Sequence, residues 1–418
     1  MTSSNNKEAF VWIWLPHQTE PVVAGRLEQE NGNVLFNYGK SYLERVRDQP
    51  PAISIYDPEL PLRAGELPLL EGLTIPGCIR DTAPDAWGRR VIINKKLGQK
   101  GDNTDTAELD ELTYLLESGS DRIGALDFQY SPTEYVPRAA NSVNVEELAA
   151  SAERVEKGVP LTPALDQALF HGSSIGGARP KALIQDHDKK YVAKFSSSTD
   201  IYSVVKAEFI AMRLAHLSGL NVAPVRLIKA ASKDVLLIER FDRQSKNGSW
   251  SRKAMVSALT LFELDEMMAR YASYERLAEI IRHRFTDPKE TLKELFSRLV
   301  FNILCGNTDD HARNHAAFWN GKELILTPAY DICPQGRAGN EASQAMLISG
   351  NNNLSQLKTC LKAAHYFLLS EDSARSIFAL ITETIEQNWQ LVCEEAELSE
   401  IDRQLFWRRQ FLNPFSLL

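Results

Sequence analysis

Within eight residues, Asn307-Thr-Asp-Asp-His-Ala-Arg-Asn314 gathers two carboxylates, an imidazole and two amides, and seventeen residues further on Asp331 stands in Leu326-Thr-Pro-Ala-Tyr-Asp-Ile332. Phosphoryl transfer needs a carboxylate near the attacking hydroxyl and oxygen ligands for a magnesium ion that bridges the phosphates. Asp309 suits the first role, and Asn314 and Asp331 suit the second. Two other readings stand beside this one. Asp and Asn form turns, so such a loop can be structural. Asp309, Asp310, His311 and His315 also lie close enough in sequence for a transition-metal site, with Cys305 as an isolated neighbour.

The flanking elements must hold that loop. Leu292, Leu295, Phe296, Leu299, Val300 and Ile303 recur at three and four residues, which predicts a core-facing helix from Pro288 to about Leu304, ended by Gly306. His315 to Trp319, the Asn320-Gly321 turn and Glu323 to Leu326 read as a β-hairpin that returns Asp331 beside the loop.

Upstream, a kinase-type site needs a glycine-bearing loop over the phosphates, a strand lysine and an acid on the next helix. His171-Gly-Ser-Ser-Ile-Gly-Gly-Ala-Arg-Pro-Lys-Ala-Leu-Ile184 offers small residues before a strand, and Gly176, Gly177 and Ala178 let backbone amides approach phosphate oxygens. It is not a Walker loop, because Ala178 and Arg179 stand where Lys and Ser/Thr are required. Tyr191-Val-Ala-Lys-Phe195 reads as a strand carrying Lys194. Ser203 to Leu217 reads as a helix stopped by Gly219, with Glu208 early enough to reach the lysine and Lys206 and Arg213 as solvated charges. Val235-Leu-Leu-Ile-Glu-Arg-Phe-Asp242 is an apolar strand ending in charge, with Glu239 to Phe241 as a candidate hinge; an ordinary strand end with a surface Arg-Asp pair is the alternative.

Taken in order, Ser174-Ile-Gly-Gly-Ala-Arg-Pro-Lys181, Ile238-Glu-Arg-Phe-Asp-Arg243, Gly306-Asn-Thr-Asp-Asp-His-Ala-Arg-Asn314 and Leu326-Thr-Pro-Ala-Tyr-Asp331 resemble the HipA family of serine/threonine kinases, the toxins of bacterial type II toxin–antitoxin modules. The resemblance implies ATP and Mg2+, Asp309 as catalytic base, and Asn314 and Asp331 as metal ligands. It further implies that Lys194 holds phosphates, that Gly176, Gly177, Ala178 and Lys181 belong to the phosphate loop, and that Glu239, Arg240 and Phe241 meet adenine, Glu239 and Phe241 through their backbones. His311 is implied to touch nucleotide or metal. Ser174, with Ser173 as the alternative, is the implied autophosphorylation site. A helix-turn-helix antitoxin and an aminoacyl-tRNA synthetase are the implied partner and substrate, with DNA reached only through the antitoxin or a local patch. The chain departs from the family at Val256-Ser-Ala-Leu-Thr-Leu-Phe-Glu-Leu264, where an acidic, Gln-bearing segment is expected, and this bears on substrate choice.

The expected fold class is α+β, a two-lobed protein-kinase-like fold with a β-rich N-terminal subdomain and a mainly helical C-lobe. The expected divisions are 1–145 for the N-terminal subdomain, 146–242 for the small lobe with glycine loop and hinge, and 243–418 for the C-lobe. With 418 residues, 44% of them hydrophobic, the chain can bury cores of this size. Phe10 to Leu15, Val22 to Glu28 and Val34 to Tyr38 read as strands in a mostly β first ~130 residues, Asp85 to Leu97 as a helical patch, and Ser131 to Asn144 as a linker. Trp389, Phe406 and Trp407 read as core or antitoxin-facing surface. A net charge of −8 argues against broad nucleic-acid affinity, and Arg403, Arg408 and Arg409 read as a solvated helix face. Five cysteines without C-x-x-C spacing, no leader and no membrane-length apolar run point to a cytoplasmic protein. A small-molecule kinase and a catalytically idle regulator that binds antitoxin and operator remain as alternatives to a protein-kinase toxin.

Overall fold

The structure, a computed structural model, describes residues 6–97, 109–138, 179, 181–196, 200, 202–230, 233–337 and 339–418. The chain divides into two compact units, one of residues 1–199, 228–256 and 318–322, the other of 200–227, 257–317 and 323–418.

In the first unit, β1 (Glu8–Ile13), β2 (Val22–Glu30), β3 (Asn33–Tyr38), β4 (Glu66–Leu67) and β5 (Leu126–Gln129) form one sheet in the order β4-β3-β2-β1-β5. Asn31 and Gly32 both take positive φ, 50° and 84°, in the two-residue turn that pairs Glu30 with Asn33; the twist of such a turn matches that of the strands it joins. This part of the chain is less purely β than its composition suggests, because α1 (Lys40–Glu44), α2 (Gly77–Arg80), α3 (Ala86–Leu97) and α4 (Glu111–Glu117) are interleaved with the strands. A second sheet contains β6 (Lys181–Asp186), β7 (Lys189–Phe195) and β9 (Lys233–Glu239), ordered β6-β7-β9 and continued by β8 (Val225–Ala230), of which 228–230 belong to this unit. Trp87 and Val91 of α3 pack into one core with Ala182, Tyr191, Ala193, Phe195, Val235 and Leu237. The helix of the N-terminal segment and the sheet bearing Lys194 therefore exclude water from each other.

Two expectations need correction here. The expected linker is anchored at two points, although most of residues 131–138 are exposed: Tyr135 lies 5.4 Å from Trp12 and 5.5 Å from Trp14, centroid to centroid, and Arg138 Nη2 is 2.8 Å from Asp127. Residues 139–144 fall outside the described residues. Helix also does not follow directly after the hinge; β10 (Arg243–Lys246) and β11 (Ser249–Arg252) form a hairpin through Asn247 and Gly248, and β12 (Ala254–Ser257) precedes the next helix. Asn-Gly, with positive φ at both positions, is a strong hairpin signal.

The second unit is mainly helical: α5 (Val204–Leu217), α6 (Ala258–Leu261), α7 (Tyr274–Arg284), α8 (Pro288–Cys305), α9 (Leu357–Ala363), α10 (Glu371–Glu395) and α11 (Glu400–Phe406). The strands β13 (Ala316–Trp319), whose last two residues group with the first unit, and β14 (Leu324–Leu326) follow α8 where the sequence places them. Pro288 opens α8, where its missing N–H is no loss. The periodic residues of α8, Leu292, Leu295, Phe296, Leu299, Val300 and Ile303, are all fully buried. Phe296 packs 5.1 Å from Phe367 and 6.1 Å from Phe378.

Trp389 is buried against Trp407 and Phe411 at 5.0 and 4.8 Å, so this aromatic group is core. Lys206 donates to the Glu397 carbonyl, Arg213 pairs with Glu395, and Arg408 pairs with Glu386. All five cysteines are free thiols. Among the described residues no helix is long and apolar enough to cross a membrane.

Candidate active site

The loop that follows α8 is built by the helix end. Gly306 adopts φ 74°, a left-handed conformation in which a side chain is strained, and its N–H reaches the last turn of the helix. Asn307, buried, donates from its backbone to Asn302 O at 2.8 Å and from its side chain to Asn302 Oδ1 at 3.1 Å. Thr308 O accepts from Ala345 N and Gly306 O from Gln335 N, so the irregular segments beyond the hairpin tie back to the loop.

Asp309 and Asp310 then diverge. Asp309 is exposed, whereas Asp310 is buried with its carboxylate 3.0 Å from His315 Nε2 and accepting from the Tyr274 hydroxyl. Although burial alone would raise the Asp310 carboxyl, His315 and the hydrogen bonds from His315 and Tyr274 hold it below its ordinary value. Tyr274, on α7, was not legible as a site residue, because its partner lies 36 positions away. Asp310 and His315 bind each other across the loop. Among the described residues no group of three or more His, Cys, Asp or Glu could hold a metal ion, which leaves the transition-metal reading without a ligand set there.

Although Asp309 is exposed at the surface, the protein packed around its carboxyl removes part of its hydration and raises it above the ordinary carboxylate range; His311 draws it back, and Asp331 and Asp310 push it up again. Asp309 and Asp331, 22 positions apart in sequence, thus feel each other's charge. Asp331 itself takes φ 58°, outside the conformations most side chains adopt. Asn314 folds back, its Nδ2 donating to the Asp309 carbonyl at 3.2 Å and its N–H to the His311 carbonyl at 2.9 Å. Its amide donor is thereby used on the loop, and the side-chain oxygen is the group suited to a cation. The Asp331 carboxylate and the Asn314 amide oxygen are hard-oxygen donors of the kind suited to magnesium, which takes few protein ligands and completes its shell with water and phosphate. His311 Nδ1 is buried and has no hydrogen-bond partner among the described residues.

The remaining candidates, Glu208 of the second unit apart, belong to the first unit. Lys181 and Lys194 are cross-strand partners in the β6–β7 pairing, so their side chains share one face of the sheet, opposite the core face of Ala182 and Ala193. Lys181 is 1% exposed and its Nζ lies 3.0 Å from Asp85 Oδ2, an acid the sequence reading did not single out. Glu239, at the end of β9, pairs with Lys189 at 2.7 Å, and Phe241 meets Phe318 edge-on at 5.9 Å. Arg240 is committed on every side: its N–H donates to the Lys190 carbonyl, and its guanidinium binds Asp121 and Asp242. The Arg240-Asp242 pair is buried, not a surface pair. Glu208 is buried on α5. Ser173, Ser174, Gly176, Gly177 and Ala178 lie outside the described residues.

The comparisons with known proteins agree with one another. The family pattern described as HipA N-terminal domain matches residues 17–129, and that described as HipA-like C-terminal domain matches residues 173–389, more than half of the chain. The serine/threonine-protein kinase toxin HipA of Shewanella oneidensis is 26% identical over 241 residues, 51% of this chain and 54% of that protein. The putative kinase Y4mE of Sinorhizobium fredii is 25% identical over 337 residues, 74% of each chain. The chain thus spans about half the length of the first of these relatives and about three quarters of the second. In fold it is similar to HipA of Shewanella oneidensis as solved with HipB and operator DNA, at a TM-score of 0.70 and 19% identity over 95% of this chain and 93% of that one. With both family patterns in sequence order on an α+β, kinase-like fold, the chain belongs to the HipA family.

Proposed function

We propose that this protein is an ATP- and Mg2+-dependent serine/threonine protein kinase acting as the toxin of a toxin–antitoxin module. The observation that carries the reading is the loop after α8, where exposed Asp309, with a raised carboxyl, is flanked by the folded-back Asn314 and by the charge of Asp331. In this reading Asp309 accepts the proton of the acceptor hydroxyl as its oxygen attacks the terminal phosphoryl group. Its raised pKa makes it a stronger base than an ordinary carboxylate. Asp310, locked inward by His315 and Tyr274, holds the loop so that Asp309 faces out.

Asn314 and Asp331 would hold Mg2+, which neutralises phosphate charge when bound. Lys194, and Lys181 beside it, are assigned to ATP phosphates, and the backbones of Glu239 and Phe241 to adenine. His311, with its unpartnered Nδ1, is assigned to nucleotide contact. Ser174, or Ser173, on the glycine loop is the proposed autophosphorylation site. A translation component such as an aminoacyl-tRNA synthetase is the proposed substrate. A helix-turn-helix antitoxin is the proposed partner, through which operator DNA is reached, and the cytoplasm is the proposed compartment.

The test incubates the purified protein with magnesium and labelled ATP, alone and with cytoplasmic lysate, and maps phosphopeptides by mass spectrometry. Label on Ser174 or Ser173 and on one lysate protein is expected. Label confined to a metabolite would make it a small-molecule kinase, and ATP binding without transfer would make it a regulator.

A further inference from the structure

The motif Ile238-Glu-Arg-Phe-Asp-Arg243 contains three charged side chains that are taken up by partners within the protein. Arg240, Asp242 and Arg243 are all buried, the two arginine side chains to 1% exposure. Burying two guanidinium groups within one short segment is costly unless each is paired and hydrogen-bonded. Asp242 supplies one countercharge, at 2.8 Å from both Arg240 and Arg243.

The other comes from about 120 positions earlier in the chain. Asp121 Oδ1 lies 3.0 Å from Arg240 and 2.9 Å from Arg243, while its Oδ2 takes Lys190 of β7 at 2.6 Å. One carboxylate therefore collects three cations. The backbone next to it does the same work. The Arg122 carbonyl accepts from both arginines, Gly124 O accepts from Arg243 at 2.9 Å, and Gly124 N–H donates to Asp242 Oδ2 at 2.8 Å. Against burial, which disfavours its charge, the cations hold Asp121 well below the ordinary carboxylate range. Gly124 takes φ 78°, a conformation suited to glycine, which turns both of its backbone groups toward the strand end.

We propose that Asp121, with the Arg122–Gly124 backbone, is a positioning element that fastens the segment Glu239–Arg243, so that the N-terminal domain sets the geometry with which the hinge receives adenine. Asp121 touches no ligand in this account; it acts through Arg240 and Arg243. The placement rests on the reading of Glu239 to Phe241 as the adenine-facing hinge. It gives the N-terminal domain a part in nucleotide binding, consistent with the core that α3 shares with β6, β7 and β9. The arrangement is also specific in geometry. A guanidinium fork presents its donors to a carboxylate and a carbonyl in one fixed plane, whereas a lysine in its place offers a compact point charge with rotatable donors.

The experiment measures displacement of a fluorescent ATP analogue from the full-length protein by adenosine and, separately, by inorganic triphosphate with magnesium. Wild type is compared with Asp121→Asn and Arg243→Lys, at a temperature where circular dichroism shows each to be folded. Arg243→Lys keeps the buried charge and so keeps the fold if Asp121→Asn does not. The expected result is a loss of at least tenfold in adenosine affinity with triphosphate affinity within twofold of wild type. Adenosine affinity unchanged in folded Arg243→Lys overturns the proposal. An equal loss toward both competitors also overturns it, because the change is then a general loosening. Wild type that binds neither competitor overturns the underlying hinge reading instead.

Discussion

Replacing Gly306 by alanine probes the point at which α8 becomes the loop carrying Asp309. Gly306 sits at φ 74°, where a side chain costs about 1–2 kcal/mol. A Cβ there would also lie 2.8 Å from Gln410 O and 3.2 Å from Gln410 Cα. Those are backbone atoms, fixed by the turn in which Gln410 N–H donates to Phe406 O and Leu412 N–H to Leu304 O. They cannot step aside as a side chain tip would, so an overpacking penalty of about 1–3 kcal/mol is added. The total is about 3 kcal/mol. Gly219 supplies the control. It caps α5 in the same unit at φ 84°, but a Cβ there meets nothing within 4 Å, so Gly219→Ala should cost only about 1 kcal/mol.

For a cooperative unit of this size, about 2–4 °C is lost per kcal/mol. Thermal unfolding followed by circular dichroism should therefore show Gly306→Ala lowered by about 6–12 °C and Gly219→Ala by about 2–4 °C. Turnover below the melting transition should fall in Gly306→Ala alone, because only that glycine fixes the origin of the Asp309 loop. Equal shifts in the two variants would show that the Gln410 contact relaxes freely. An unshifted Gly306→Ala with full turnover would refute the account of the loop.

Other perturbations read out different parts of the molecule. Asp309→Asn should lower phosphoryl transfer by about 10²–10⁴ with an unchanged melting temperature, since an exposed carboxylate is altered without opening a cavity; retained transfer sinks the base assignment. Lys194→Ala should weaken ATP binding measured by calorimetry by tenfold or more, whereas an unaltered affinity makes Lys194 an ordinary strand charge. Burial opposes the charge on Asp242, but Arg240 and Arg243 bring its carboxyl down to about 2. Its contribution to stability is thus complete above an unfolded value of about 3.9 and lost as pH falls toward 2, worth about 2–3 kcal/mol. Asp242→Asn should be less stable at neutral pH and should lose less on acidification from pH 4 to 2 than wild type, as followed by urea unfolding; identical acid slopes would contradict the pairing.

Much of the scaffold was legible because it is local. The 3.6-residue periodicity of Leu292 to Ile303, the helix stops at Gly219 and Gly306, and the Asn31-Gly32 turn are set by neighbours a few positions apart, and each stands where the sequence puts it. The type and spacing of Asp309, Asn314 and Asp331 likewise named the candidate chemistry without coordinates. What escaped was long-range. No pattern announces that Tyr274 will bury its hydroxyl on Asp310, or that Lys181 will find Asp85. Nor does any announce that the N-terminal helix α3 will complete the core under β7, or that residues 200–227 and 228–256 will sort into different units. The alternative reading of Arg240 and Asp242 as a surface pair stayed open in the sequence because burial is a property of the assembled fold. Whether a charge lies in water or beneath a second segment depends on chain elements more than a hundred residues away, and the free energy that places it there comes from pairing across that distance. The sequence by itself thus determined the helices, the turns and the candidates for the reactive groups. The tertiary structure decided which charges are buried and paired, because a carboxylate such as Asp121 acquires its three cations only when the chain has brought them together.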